Sequence, residues 1–216
     1  MRIAYPRANW LVPPGPITPG LRIGLLGGSF NPAHEGHLHV SVAGLKSLGL
    51  DYVWWLVAPQ NPLKPTAGTA PLDHRVAAAR DMVRDPRIRV TDIEARLGTR
   101  YTIDTLSALK RRFPGVRFVW LMGSDNLESF SRWRRWEDIA RLIPIAVVLR
   151  PGATFAPLRA KAAQRFASAR LISARAIATA DPPAFAIVDG PRSLESSTAI
   201  RGKFVSDEAV VRASPA

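Results

Sequence analysis

The amino-acid sequence predicts an α/β protein: a Rossmann-like, doubly wound, mostly parallel sheet with helices on both faces. Three observations carry that prediction. Short apolar runs alternate with segments of helical periodicity. The helical segments are about a dozen residues long, enough for right-handed crossovers between parallel strands. The apolar runs are nearly continuous, as expected of strands covered on both faces.

Residues 1–20 read as a Pro-rich flexible arm, with Pro6, Pro13, Pro14, Pro16 and Pro19, and residues 21–216 as the domain proper. Leu21–Gly27 (LRIGLLG) is the first strand. Leu38–Leu48 is a helix, because Leu38, Val42, Leu45 and Leu48 recur at near-helical spacing. Tyr52–Ala58 (YVWWLVA) is a second strand, rich in the aromatic and β-branched residues that suit one. Leu72–Val83 is Ala-rich and helical, with Pro71 at its start. Arg87–Ile93 is a third strand, and Thr102–Arg112 a helix with Ile103, Leu106 and Leu109 on one stripe. Val116–Met122 and Pro144–Leu149 supply the fourth and fifth strands, Phe155–Ala167 a further helix, and Ala184–Val188 a sixth strand. Sheets of this kind bind ligands beyond the carboxyl ends of their strands, at the topological switch point. The loops after Gly27, Ala58, Met122 and Val188 are therefore where chemistry is expected.

Composition narrows the function. The chain has 216 residues, 47% hydrophobic and 22% charged, so it can bury a core of its own. Its net charge of +13 favours anionic partners. There is no cysteine, which excludes disulfides, thiolate catalysis and thiolate metal sites. No apolar run approaches the ~20 residues of a membrane span, and Met1–Gly20 has no signal-peptide core. A cytoplasmic protein without membrane partners is expected.

The chemistry-bearing string is Gly27–Val40, GGSFNPAHEGHLHV. It links the first strand to the first helix. Its glycines permit a tight turn and close approach of backbone to ligand. His34 and His37 stand three apart at the helix entry, where free N–H groups and the helix dipole already favour an anion. Two imidazole donors there make a phosphate site. The string is neither a Walker loop nor a dinucleotide fingerprint, since G-K-[S/T] and G-x-G-x-x-G are both absent. Satisfied surface histidines, or a metal site from His34, Glu35, His37 and His39, are the other readings of these residues; their spacing does not match the helical H-E-x-x-H pattern.

GGSFNPAHEGH resembles the [S/T]-F-[D/N]-P-x-H-x-G-H signature of the nucleotidyltransferase superfamily. Ser196–Arg201 (SSTAIR), roughly 160 residues further on, resembles its second signature, S-S-T-x-I-R. That second string also has a physical sense of its own: Ser and Thr cap a helix whose first N–H groups face an anion, and an arginine one turn on can grip phosphate bidentately. The middle of the chain resembles the bacterial nicotinate-nucleotide adenylyltransferases in particular. The resemblance lies in Ala58–Lys64 (APQNPLK), Asp73-His74-Arg75, Asp92-Ile93-Glu94 with Tyr101–Leu106, Gly123-Ser124-Asp125, Trp133–Trp136 and Arg150-Pro151-Gly152. It covers about residues 21–205. Asn31, Arg100, Glu195 and the tail after Phe204 depart from the family pattern.

The resemblance implies transfer of AMP from ATP, carrying Mg²⁺, to nicotinate mononucleotide. It implies that His34 and His37 contact the ATP phosphates, with His37 nearest the transferring group. Gly28, Ser29 and Phe30 would supply close backbone, Ser197, Thr198 and Arg201 would hold the β- and γ-phosphates, and Gly123 and Asp125 would bind ribose. Thr102 and Trp133 would frame the pyridine ring, and Lys64 and Arg75 would hold the acceptor's phosphate or carboxylate. A relative acting on nicotinamide mononucleotide or phosphopantetheine is the nearest alternative. A basic nucleic-acid-binding module, suggested by the charge and by Arg132–Trp136, is the alternative from another class, but the arginines are otherwise scattered. The chain could act as a monomer or homo-oligomer.

Overall fold

A computed structural model describes residues 12–59, 68–149 and 159–188. In chain order the elements are β1 (Arg22–Gly28), α1 (Glu35–Ser47), β2 (Tyr52–Val57), α2 (Leu72–Met82), β3 (Ile88–Thr91), α3 (Ile93–Leu97), α4 (Thr102–Arg112), β4 (Arg117–Gly123), α5 (Ser124–Phe130), α6 (Trp136–Leu142), β5 (Ile145–Val148), α7 (Lys161–Arg165) and β6 (Phe185–Val188). Short 3-10 turns occupy Ala167–Ala169 and Ala174–Ala178. The six strands form one sheet in the order β3-β2-β1-β4-β5-β6, and every pairing is parallel. The order reverses between β1 and β4, which is the switch point of a doubly wound sheet.

Alternation along the strands divides the core in two. One face buries Ile23, Leu25, Trp54, Phe118 and Trp120 against Ile103, Leu106 and Leu109 of α4, Leu127 and Phe130 of α5, and Ile139 of α6. The other buries Leu26, Val53, Trp55, Val119 and Leu121 against Val40 and Leu45 of α1, Val76 and Ala79 of α2, and Ile177. Trp54 and Trp55 are neighbours in sequence and both fully buried because they point to opposite faces. Truncating either would cost about 3–5 kcal/mol.

The expected strands and the helices α2 and α4 lie where the sequence places them, within a residue or two, apart from β3. That strand stops at Thr91, whose Oγ1 accepts the N–H of Ile93 and turns the chain into α3. Helices α3, α5 and α6 are not foreseen; at five to seven residues they are too short to show a period. The helix expected over Phe155–Ala167 is the single turn α7 followed by a 3-10 turn, with 155–158 outside the described residues. The arm expected over 1–20 is not free of the domain along its second half. Val12 O accepts from Arg96 Nη1 at 3.1 Å, Gly15 lies against Arg89 and the Trp54 indole, and Gly20 N–H donates to Gly115 O at 2.8 Å.

At the amino ends of β1 and β2, Arg22 grips Asp51 with Nε at 3.0 Å and Nη2 at 2.7 Å, and its backbone N–H adds a third bond. The Arg22 hydrogen bonds hold the Asp51 carboxyl below its ordinary range. This pair ties down the end of the sheet remote from the crevice.

Candidate active site

The sheet opens beside two of the four loops that the sequence marks, those after β1 and β4. β1 stays paired with β2 as far as Gly28↔Val57, and β4 with β5 as far as Gly123↔Val148. Between β1 and β4 the ladder ends at Leu26↔Leu121, two residues before either strand does. The two strands therefore part at their carboxyl ends, leaving a crevice with Gly28 on one lip and Gly123 on the other. A Cβ on Gly27 would stand 2.4 Å from the Trp120 ring, so only glycine fits there.

The β1 lip carries both histidines. His34 caps α1: its Nδ1 accepts the Gly36 N–H at 3.1 Å. His37, at the third helical position, reaches back so that its Nδ1 accepts the His34 N–H at 3.2 Å. This reciprocal cap usually pairs a hydroxyl with a carboxylate; here two imidazoles do it, with ring centroids 3.9 Å apart. Because each Nδ1 receives a proton from the backbone, the neutral form of each ring carries its own proton on Nε2. Capping thus makes both Nε2–H groups donors. His37 Nε2 lies 3.7 Å from the position a Cβ on Gly28 would take, at the crevice lip. His37 is half-buried, while His34 is only 3% exposed.

The histidine pair rests on a built foundation. The Phe30 ring, fully buried, lies 4.4 Å from the His37 ring and 4.9 Å from that of Trp55. Phe30 sits at φ 46°, a conformation unusual outside glycine and costly by about 1–3 kcal/mol, which its packing offsets. Ser41 Oγ donates to His37 O at 2.8 Å and accepts Trp55 Nε1–H at 2.7 Å, tying α1 to β2. Only the backbone of Phe30 is left to meet a ligand, for its side chain supports His37.

On the opposite lip Gly123 is itself the N-cap of α5, and no loop intervenes. Gly123 is buried and Asp125 exposed. Thr102 begins α4 and Trp133 follows α5. These two segments meet, since the Arg134 guanidinium lies 4.6 Å over the Tyr101 ring. Trp133 is half-buried and packs edge-on against Trp120 (5.9 Å) and Phe130 (5.4 Å), which sets it beside β4.

Beneath the Thr102 segment lies a group the sequence does not single out as functional. Glu94 of α3 is 9% exposed and accepts from Thr105 Oγ1 at 3.3 Å; Thr105 Oγ1 is also 2.8 Å from Thr99 Oγ1. Burial pushes the Glu94 carboxyl up to about 7, and the Thr105 hydrogen bond opposes that rise. Nothing local in the sequence signals this burial, because it depends on α3 and α4 packing together.

Arg75 is also buried, at 3% exposure, and its N–H groups meet four main-chain carbonyls: Ser29, Ala58, Pro59 and Ala70. Asn31 joins the same loops, donating to Gly68 O and accepting from Ala70 N. Lys64, Ser197, Thr198 and Arg201 lie outside the described residues. The β1 lip, the β4 lip and the Thr102–Trp133 side thus surround one end of the sheet, and Arg75 lies under the loops that form it. Among the described residues no helix is long and apolar enough to cross a membrane.

The chain is similar to known proteins. Residues 25–203 match the family model described as cytidylyltransferase-like. A protein of Parvibaculum lavamentivorans named "Probable nicotinate-nucleotide adenylyltransferase" is 58% identical over 187 residues, covering 86% of this chain and 93% of its own. One of Methylorubrum extorquens with the same name is 57% identical over 183 residues, covering 84% and 99%. The fold is shared with the nicotinic acid mononucleotide adenylyltransferase of Plasmodium falciparum complexed with NaAD. That match has a TM-score of 0.64 at 16% identity and covers 84% of this chain and 83% of that one.

Proposed function

This chain belongs to the cytidylyltransferase-like family and, within it, to the nicotinate-nucleotide adenylyltransferases; from that premise we propose how it transfers the adenylyl group of ATP to nicotinate mononucleotide in NAD biosynthesis. The single observation that carries the assignment of roles is the β1 lip. Two imidazoles are held there by capping so that the neutral form of each carries its proton on Nε2, and His37 Nε2 stands beside Gly28 at the switch-point crevice.

In the reaction a phosphate oxygen of nicotinate mononucleotide attacks the α-phosphorus of ATP. The bond from that phosphorus to the bridging oxygen breaks, and pyrophosphate leaves with the electron pair. The nucleophile is already anionic at neutral pH, so no general base is required. What the protein must do is bring two polyanions together and stabilise the charge that develops. His37 and His34 donate from Nε2 to phosphate oxygens, with His37 nearest the transferring group. The backbone of Gly28, Ser29 and Phe30 lines the same lip. Ser197, Thr198 and Arg201 are assigned to the β- and γ-phosphates and Lys64 to the acceptor's anionic groups, as the motifs they match imply. Asp125 and Gly123 accept and frame the ribose hydroxyls, while Thr102 and Trp133 flank the pyridine. The nucleotide would arrive with Mg²⁺ on its phosphates and water. We place the reaction in the cytoplasm, in keeping with a chain that has no cysteine.

Pyrophosphate release with MgATP, compared across nicotinate mononucleotide, nicotinamide mononucleotide and phosphopantetheine, tests the proposal. Preference for the nicotinate acceptor is expected. Turnover with another acceptor alone would overturn it.

A further inference from the structure

Arg75 stands out because its charge is buried and its hydrogen bonds among the described residues go to main-chain carbonyl oxygens. Nη1 donates to Ser29 O at 2.6 Å and Ala58 O at 2.8 Å, Nη2 to Pro59 O at 2.9 Å, and Nε to Ala70 O at 2.8 Å. A guanidinium has five N–H groups, so four carbonyls nearly exhaust it. A side chain that is 3% exposed and so committed has little left for a substrate anion.

The identity of the four carbonyls gives the arrangement its meaning. Ser29 follows β1 and directly precedes Phe30, on which His37 rests. Ala58 and Pro59 follow β2, and Ala70 lies just before α2. A fixed carbonyl also fixes the plane of its peptide, so holding Ser29 O aims the Phe30 N–H the opposite way. Asn31 adds a second stitch between the β1 loop and residues 68 and 70, and Ala58 N–H donates to Gly28 O at 2.9 Å. One side chain from α2 therefore sets the spacing of the two loops that leave the central strands. Burial lowers the affinity of Arg75 for its proton, but an arginine keeps it, so the four carbonyls act as its counter-charge.

We propose that Arg75 is a positioning residue rather than a substrate ligand: it clamps the loops after β1 and β2 together, so that the nucleotide side and the acceptor side of the crevice are assembled as one unit. The inference rests on the adenylyl-transfer reading of the site.

Two variants and one measurement on the native protein test it. Lysine keeps the charge but cannot reach four carbonyls, and methionine keeps neither. With the clamp, Arg75→Lys and Arg75→Met lose kcat alike, on the order of 10²-fold, and raise KM for both ATP and nicotinate mononucleotide. A ligand role would leave KM for ATP unchanged, and Arg75→Lys would hold the acceptor much better than Arg75→Met; that result overturns the inference. If either variant fails to fold, nitrogen-detected NMR of the wild-type guanidinium decides. The clamp predicts slowly exchanging Arg75 N–H signals in the substrate-free protein, unmoved by added nicotinate mononucleotide. Signals that exchange rapidly, or that shift on titration, contradict it. Failure of the wild-type enzyme to use the nicotinate acceptor would overturn the functional reading instead, and the NMR result would still decide the clamp.

Discussion

The two lips of the crevice are built from the same plan and carry opposite side-chain chemistry. β1 and β4 lie side by side, both end in glycine, and both lead into a helix. After β1 the chain takes six residues, 29–34, to reach α1, and that helix is capped by one imidazole and backed by a second. After β4 there is no loop: Gly123 caps α5 with its backbone, without a side-chain bond. The β1 lip thus presents side-chain donors, which suit a polyanion, and the β4 lip an exposed carboxylate, which suits hydroxyl groups.

If donor chemistry belongs to the β1 lip, the largest loss should come from its imidazole. His37→Ala should lower kcat by about 10²–10³-fold with the far-UV circular dichroism of the fold unchanged. A folded variant with near-normal turnover would break the comparison at once.

Glu94 gives a control on the scaffold under the Thr102 side. Its folded-state value of about 7 lies above the ordinary 4.5, so the native state holds the proton more tightly. At pH 4 both states are protonated and nothing is lost. As pH rises through 7 the native state loses stability relative to the unfolded one, by up to about 3 kcal/mol. Glu94→Gln should therefore be indistinguishable from wild type in urea unfolding at pH 4 and more stable at pH 8. An equal difference at both pH values would mean that the carboxyl is not held neutral.

Gly28→Ala places a methyl 3.4 Å from the Phe30 ring and 3.7 Å from His37 Nε2. It should cost roughly 10-fold in kcat, by displacing the imidazole or its phosphate partner. Wild-type kinetics from this variant would show that the nucleotide passes elsewhere. The smallest effect is expected across the crevice. Asp125→Asn keeps one acceptor oxygen and should raise KM for ATP about 5-fold at nearly constant kcat, the signature of a contact made equally before and during reaction. A drop in kcat without a change in KM would place Asp125 among the charge-handling groups and blur the distinction between the lips.

The difference between the lips also marks how much the sequence discloses. Strands buried on both faces announce themselves as YVWWLVA or VRFVWLM, and the long helices by their period, so the parallel sheet follows directly, whereas the strand order that puts the switch point between β1 and β4 comes only from the structure. The histidine string is legible because the residues that cap α1 are also the ones proposed to meet the phosphates. Arg75 is different: its motif marks it, but only the packing of α2 beneath two loops shows it meeting four carbonyls. Glu94 is more hidden still, since an acidic residue in a five-residue helix has no local sign of burial. The helices α3, α5 and α6 fall below the length at which periodicity can be read. The seating of residues 12–20 depends on long-range partners such as Gly115 and Arg96.

The central claim is that capping turns two imidazoles into phosphate donors, and ring-nitrogen NMR of the histidines addresses it most directly. His34 and His37 should each show a protonated Nε2 and a bare, hydrogen-bonded Nδ1 in the substrate-free protein, and the Nε2 signals should move when a non-hydrolysable ATP analogue is added. Protons on Nδ1, or Nε2 signals indifferent to the nucleotide, would contradict it.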